Sequence, residues 1–132
     1  MNADTMKQEL MALADSYRQV GDAIHDAIRD SIHAAGDFVN CANNRGEKKD
    51  MLALVYDNKK GYSESYPIRA MRLGVNGEVE VYVGSTGTIY TDKYLRGKQS
   101  EEHWLPLKGS NILFYQTILS IAGAIDQYIP AG

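Results

Sequence analysis

The chain has 132 residues, of which 44% are hydrophobic and 23% are charged, and its formal net charge at pH 7 is -3. This length and balance predict a single domain spanning 1–132 and exclude a disordered chain. The single cysteine, Cys41, excludes an internal disulfide and a cysteine-based zinc site, and the amino terminus has no apolar secretion segment, so we expect a cytoplasmic protein.

Charge and apolar runs limit the possible partners. Residues 1–37 carry seven acidic and three basic side chains, and no part of the chain shows the basic stripe with which DNA- and RNA-binding domains contact phosphates. The most apolar run, residues 112–125, is shorter than the ~20 residues that a bilayer requires. Neither nucleic acid nor membrane is therefore an expected partner.

The first predicted element is a long amphipathic helix from about residue 5 to Gly36, because Thr5 and Gln8 have the spacing of a capping box. At 1.5 Å per residue this helix would be ~45 Å long, more than a domain of this size can cover. We therefore expect a homo-oligomer, most simply a homodimer, joined through an apolar stripe whose residues alternate gaps of four and three. The candidate interface residues are Met6, Leu10, Leu13, Tyr17, Val20 and Ile24.

Residues 38–50 lack periodicity and are interpreted as an exposed connector. The apolar run 51–57 predicts a strand, and Pro67 suits the first position of the next strand, because no hydrogen-bond donor is needed there.

The segment Ile68–Gly84 predicts a hairpin with a defined register. If residues 75–77 form the loop and Gly77 adopts the left-handed conformation, one face of the hairpin becomes apolar and the other polar. The pairs on the apolar face are Leu73 with Val79 and Met71 with Val81, and those on the polar face are Gly74 with Glu78, Arg72 with Glu80 and Ala70 with Tyr82.

Glu78 and Glu80 raise the possibility of a catalytic carboxylate pair, because glycosidases use two carboxylates about 5 to 9 Å apart. Such chemistry also needs a cleft that withdraws a carboxyl group from water. The predicted register places both glutamates on an open face, so we interpret them as solvent-facing and predict no catalytic residues.

The last part of the chain predicts a short strand at 88–92, a charged loop, a strand at 103–107 and a C-terminal helix from Ser110 to Pro130. The polar residues of this helix, Gln116, Thr117, Ser120 and Gln127, are expected on its outer face. The fold class is α+β: a long N-terminal helix, an antiparallel sheet of four to five short strands, and a C-terminal helix packed on the sheet.

Two further groups of residues are candidates for a metal site or a ligand site. Asp26, Asp30 and His33 share one helix face, but they span about 10 Å along the axis and cannot share one ion, so we predict no metal and no cofactor. Residues 84–88 are rich in glycine and hydroxyl groups and have cations nearby, which suits either a plain turn or a cradle for an anionic or nucleotide-like small ligand. The candidate ligand-binding residues are Ser85, Thr86, Gly87, Thr88, Tyr90, Arg96 and Lys98.

Three functions follow from these patterns. The leading hypothesis is a noncatalytic binding or adaptor protein that forms a homodimer through its first helix and meets another protein through its tyrosine-bearing sheet or loops. The second is a small-ligand binder acting near residues 84–98. The third is an enzyme that uses Glu78 and Glu80, or the group formed by Asp26, Asp30 and His33.

Overall fold

A computed structural model describes residues 2–85, 87–98, 103–109 and 111–129. The predictions made for Thr86, Ser110 and Pro130 lie outside the described residues. The chain forms helix α1 (Ala3–Ala34), strands β1 (Phe38–Asn40), β2 (Leu52–Asp57), β3 (Tyr62–Leu73) and β4 (Val79–Val83), short helix α2 (Asp92–Arg96), strand β5 (Trp104–Pro106), helix α3 (Phe114–Ala122) and a 3-10 turn (Ile125–Gln127). This order confirms the α+β class.

Helix α1 has the predicted extent but a different cap. The Oδ1 atom of Asn2 accepts a hydrogen bond from the backbone N–H of Thr5 at 2.9 Å, so the cap is Asn2 and not Thr5 as predicted. At the other end Gly36 has φ +91°, and the N–H of Asp37 bonds to the carbonyl of Ile32 at 2.9 Å. This glycine-capped end stops α1 within two residues of the predicted position.

Strand β3 organises the antiparallel sheet of five strands. Its first half pairs with β2, its second half pairs with β1 on one side and β4 on the other, and β5 pairs with β4. The strand has 12 residues, so it is longer than the short strands predicted, and Pro67 lies inside it rather than at its start. Pro67 is tolerated there because it lies beyond Ile68, where the pairing of β3 with β4 ends, so no ladder bond from its nitrogen is needed; its carbonyl accepts a bond from Gly84 N–H at 3.1 Å.

The predicted hairpin register is confirmed. Gly77 has φ +77°, and the N–H of Gly74 bonds to the carbonyl of Glu78 at 2.7 Å. The pairs observed between β3 and β4 include Leu73 with Val79, Arg72 with Glu80, Met71 with Val81 and Ala70 with Tyr82. Residues with alternating polarity therefore point to opposite faces of this sheet, as the three-residue loop requires.

Apolar clusters cover both faces of the sheet. The first lies between the sheet and helices α1 and α3, and it includes Ile28, Ile32, Met71, Val81, Ile118 and Ile121. The second lies on the other face, and its buried members are Ala70, Tyr82, Tyr90, Leu95 and Trp104. The expectation that this second face is open to water was wrong, because Tyr90 and helix α2 pack against it.

The predictions of a connector at residues 38–50 and of a strand at residues 88–92 were also wrong. Within residues 38–50, β1 pairs with β3 and Cys41 is fully buried, with its N–H bonded to the carbonyl of Arg69 at 2.8 Å. Residues 88–92 do not form a strand: Tyr90 enters the second cluster, and the hydroxyl of Thr91 caps α2 by accepting a bond from Tyr94 N–H at 3.2 Å. The predicted strand at 103–107 is present as β5.

The C-terminal helix is shorter than predicted at both ends: residues 111–113 extend along β2, and α3 ends at Ala122, before the separate 3-10 turn Ile125–Gln127. The N–H of Leu113 bonds to the carbonyl of Leu54 at 2.9 Å, so α3 begins only at Phe114. The hydroxyls of Thr117 and Ser120 face inward and accept bonds from the N–H groups of Leu54 and Leu52, at 3.1 and 2.9 Å. These hydroxyls satisfy the edge of β2 and do not form the outer strip that the sequence predicts.

Candidate interaction surface

The first half of α1 extends away from the rest of the chain. Every residue from Ala3 to Val20 is exposed, and burial on this helix begins at Gly21. At 1.5 Å per residue this exposed part is ~27 Å long. Five of the six predicted interface residues lie in it, with these exposed fractions: Met6 51%, Leu10 63%, Leu13 51%, Tyr17 66% and Val20 57%.

An apolar groove continues this surface where α1 meets α3. The sixth residue, Ile24, is half-buried and packs against the first cluster. The groove has a volume of about 470 Å³, and its lining includes Tyr17, Val20 and Ile24 of α1 and Tyr115 and Leu119 of α3. Leu119 is 60% exposed. A continuous exposed apolar surface of this kind is typical of a site of protein association.

Small side chains flank the centre of the apolar stripe, and the charged side chains there lie away from it. Arg18 and Asp15 pair with each other at 2.6 Å on the exposed part of α1, and the wheel of an ideal helix places Asp15 opposite the stripe. The residues beside the stripe at its centre are Ala14, Ser16, Gly21 and Ala23. Such flanks let a second helix approach closely.

The candidate metal-binding residues of α1, together with His25, form local pairs. Nδ1 of His25 donates to Oδ1 of Asp26 at 3.1 Å, and this hydrogen bond, helped by the charge of Arg29, lowers the pKa of Asp26. Arg29 lies 3.6 Å from Asp26 and 3.7 Å from Asp30, while His33 pairs with Asp37 at 2.7 Å. Within the described ranges, no group of three His, Cys, Asp or Glu side chains is placed to hold a metal ion.

The candidate ligand-binding residues fall into two groups. Tyr90 is buried, its hydroxyl accepts a bond from Ser85 N–H at 2.8 Å, and the side chain of Asn44 bonds to both its carbonyl and its N–H. The guanidinium of Arg96 lies 4.0 Å over the ring of Phe38. The remaining described candidates are exposed, namely Gly87, Thr88 and Lys98. The structure thus gives Tyr90 and Arg96 structural partners, and the small-ligand hypothesis stays a prediction.

The two glutamates of the hairpin have different surroundings. Nε of Arg72 donates to Oε1 of Glu80 at 2.8 Å, and the same guanidinium lies 4.2 Å over the ring of Trp104. Glu80 lines an open groove of about 520 Å³ beside the hairpin loop, whereas Glu78 is exposed and does not line it. The groove therefore does not bring the two carboxylates together as a catalytic pair.

Sequence reasoning missed several buried polar groups. His25 is buried against Phe114, with 5.8 Å between ring centroids. Arg69 is buried beside Asp50, with an Nη1 to Oδ1 distance of 3.3 Å, and its Nε has no hydrogen-bond partner among the described residues. No periodic pattern marks these residues as buried. Tyr115 and Leu119 were also missed as part of the exposed surface, although they lie four residues apart and share one face of α3.

A scan against protein-family models finds no matching family, and searches of curated proteins and of solved structures find no match. In the part of the chain that the structure describes, no helix is both long enough and apolar enough to cross a bilayer. Any proposal about function therefore depends on the surfaces of this chain.

Proposed function

We propose that this protein is a noncatalytic binding protein that acts through protein–protein contacts and works as a homodimer joined along α1. The observation that carries the proposal is the apolar stripe on the exposed half of that helix. Removing apolar surface from water contributes about 25 cal/mol per Å². Five large side chains on one face would therefore favour association strongly once a partner covers them.

The spacing of the stripe favours another helix as the partner. Gaps of four and three repeat from Met6 to Ile24, and this period of 3.5 residues is the one that packs knobs into holes on a second helix. A second copy of α1 carries the same pattern. An interface of two identical surfaces must be self-complementary, and the uncharged flanks at Ala14 and Ser16 bring no like charges together at its centre.

The surfaces that stay free in the dimer are candidates for contact with a different protein. The β2–β3 hairpin exposes Tyr56 and Tyr62, and their register places them on opposite faces of the ribbon. Tyrosine is enriched at protein interfaces because its ring is broad, rigid and amphipathic. A dimer would present two such hairpins, which supports a binding role rather than a catalytic one.

Size-exclusion chromatography with light scattering tests the proposal directly. The expected mass is twice the 14.7 kDa of the chain. Leu10→Glu places a carboxylate in the stripe and should raise the dissociation constant by about 100-fold or more, because an unpaired buried charge costs several kcal/mol. A strictly monomeric wild-type protein at high concentration would contradict the proposal.

Gln8→Glu is the matched control for this experiment. It adds the same charge two residues away on the opposite face of the exposed helix, so the dimer should persist. Far-UV circular dichroism of both variants verifies that the fold remains, since neither position belongs to an apolar cluster.

A further inference from the structure

We propose that the two copies cross antiparallel, with the N-terminal half of each α1 lying in the α1–α3 groove of the other copy. This inference rests on the proposed homodimer and adds the orientation of the helices and the place where each one binds. It assigns the groove lined by Val20, Ile24, Tyr115 and Leu119 to one occupant, a second copy of residues 3–14.

Shape distinguishes the antiparallel from the parallel arrangement. The groove is a concave surface at the level of Tyr17 to Ile24 that α3 walls on one side, whereas residues 3–14 are exposed on all sides and carry only a more open hollow between Met6, Leu10 and Met11. A parallel pair would place each groove opposite the equivalent groove of its partner and leave space between them. An antiparallel pair places the convex half of each helix against the concave half of the other, which fills the groove.

Electrostatics favour the same orientation. The N-terminus of a helix carries a partial positive charge, so two parallel helices would bring these like ends together, whereas two antiparallel helices keep them apart.

The stripe supplies a complete set of apolar pairs when the two-fold axis passes near residue 15. Residue 15 of one copy then lies level with residue 15 of the other copy. Asp15 itself lies on the far side of its helix from the stripe, so the two carboxylates do not enter the interface. The resulting pairs are Leu13 with Tyr17 of the partner subunit, Leu10 with Val20 of the partner subunit, and Met6 with Ile24 of the partner subunit. Every candidate interface residue is used once from each chain.

Distances between spin labels test the orientation. A label at Lys7→Cys, beside the stripe, would lie ~24 Å along the axis from its copy in the antiparallel dimer, whereas a parallel dimer would hold the two labels near the ~10 Å separation of the helices. A label at Ser16→Cys is the matched control, because it lies near the axis and should give a short distance in both arrangements. The buried Cys41 leaves each introduced thiol as the accessible one.

A substitution on α3 tests the groove. Leu119→Glu lies outside the α1 stripe and should raise the dissociation constant at least tenfold, because it places a carboxylate against the helix of the partner. Gln19→Glu adds the same charge to an exposed position of α1 away from the stripe and should leave the dissociation constant unchanged.

The outcomes separate this inference from the proposed function. A monomer in light scattering overturns both. A dimer with a short distance at position 7, or a dimer that Leu119→Glu does not weaken, overturns the antiparallel arrangement in the groove and leaves the homodimer standing. A long distance at position 7, a short one at position 16 and a weakened Leu119→Glu dimer support the inference.

Discussion

The phenol ring of Tyr115 lies directly over the backbone of Gly21 where α3 crosses α1, and a Cβ atom at position 21 would stand only 2.9 Å from its Cδ1 atom. Glycine is needed here for close approach and not for an unusual backbone angle, since Gly21 is inside a regular helix. The contact brings the two helices together at the base of the apolar groove. Any side chain at position 21 should move the ring and change the groove.

A double-mutant cycle on these two residues should reveal this contact. Gly21→Ala gains about 1 kcal/mol in helix propensity but forces the ring of Tyr115 to move, which typically costs about 1 to 3 kcal/mol. We expect Gly21→Ala to be neutral or destabilising in the wild-type chain and stabilising by about 1 kcal/mol in a Tyr115→Ala background. Urea unfolding at one fixed protein concentration measures both values, and equal effects in the two backgrounds would show that the contact is absent.

Replacement of the two hairpin glutamates should have unequal effects on stability. Glu80 is three-quarters buried in its pair with Arg72, so Glu80→Ala should lower the free energy of unfolding by about 1 kcal/mol. Glu78 is exposed, and Glu78→Ala should change it by less than about 0.5 kcal/mol. Chemical denaturation of both variants provides the test. Equal losses would mean that the pair with Arg72 contributes nothing to stability.

Alkaline pH should destabilise the fold through groups that burial keeps neutral. Burial raises the pKa of the Cys41 thiol from 9.0 to about 12 and that of the Tyr128 phenol from 10.0 to about 12. Well below pH 9 both groups are neutral in both states and have no effect. Above it the unfolded chain releases protons that the folded chain retains, so stability falls as pH rises toward about 12.

Substitution of a buried tyrosine tests whether its ionisation contributes to this loss of stability at alkaline pH. Tyr128→Phe removes one of the ionising groups and should make the fall in the urea midpoint with pH shallower. Tyr62→Phe is the control, because this tyrosine is exposed on the β2–β3 hairpin. If Tyr128→Phe and the wild type lost stability at the same rate above pH 9, burial of the phenol would not be a cause.

The Cys41 thiol should be unreactive in the folded chain. It is fully buried, and its raised pKa leaves little of the thiolate that reacts with disulfide reagents. Ellman's reagent should therefore modify no thiol in the native protein and one per chain in urea. A Gln19→Cys variant, which adds an exposed thiol on α1 away from the stripe, should react rapidly and confirms that the reagent is active. Rapid modification of the native wild-type protein would contradict the burial of Cys41.

The parts of the fold that the sequence predicts well are those in which local pattern decides. The alternation of apolar and polar residues around Gly77 leaves one register for the β3–β4 hairpin, and that register is present. The long apolar repeat likewise defines α1 to within about two residues at its ends. In the hairpin a shift of one residue would expose the apolar side chains, so few alternatives compete.

The parts that the sequence does not predict depend on distant partners. Strand β1 has three residues, too few for a periodic pattern, and it forms because β3 offers a free edge. Tyr90 has a high strand propensity but packs into the second cluster. Residues 111–113 take the edge of β2 in place of a first helical turn. Long-range pairing overrides local preference at each of these positions.

The candidate interaction surface shows the same contrast between features set by local pattern and features set by distant partners. The stripe on α1 could be identified from spacing, and its exposure agrees with the length of the helix. The contribution of Tyr115 and Leu119 to this surface could not be identified from the sequence. It depends on where α3 crosses α1 and on the close approach that glycine, which has no side chain, allows at position 21. A crossing point of two helices is not encoded in the periodicity of either one.

The long strand β3 has a consequence for how the protein unfolds. It contributes Met71 to the cluster beneath the helices and Ala70 to the cluster on the opposite face, and it pairs with three other strands. Melting of β3 would therefore remove support from both clusters at once. We expect the two layers to lose structure in a single cooperative transition, with hydrogen exchange slowest at the centre of this strand and fastest in the projecting half of α1.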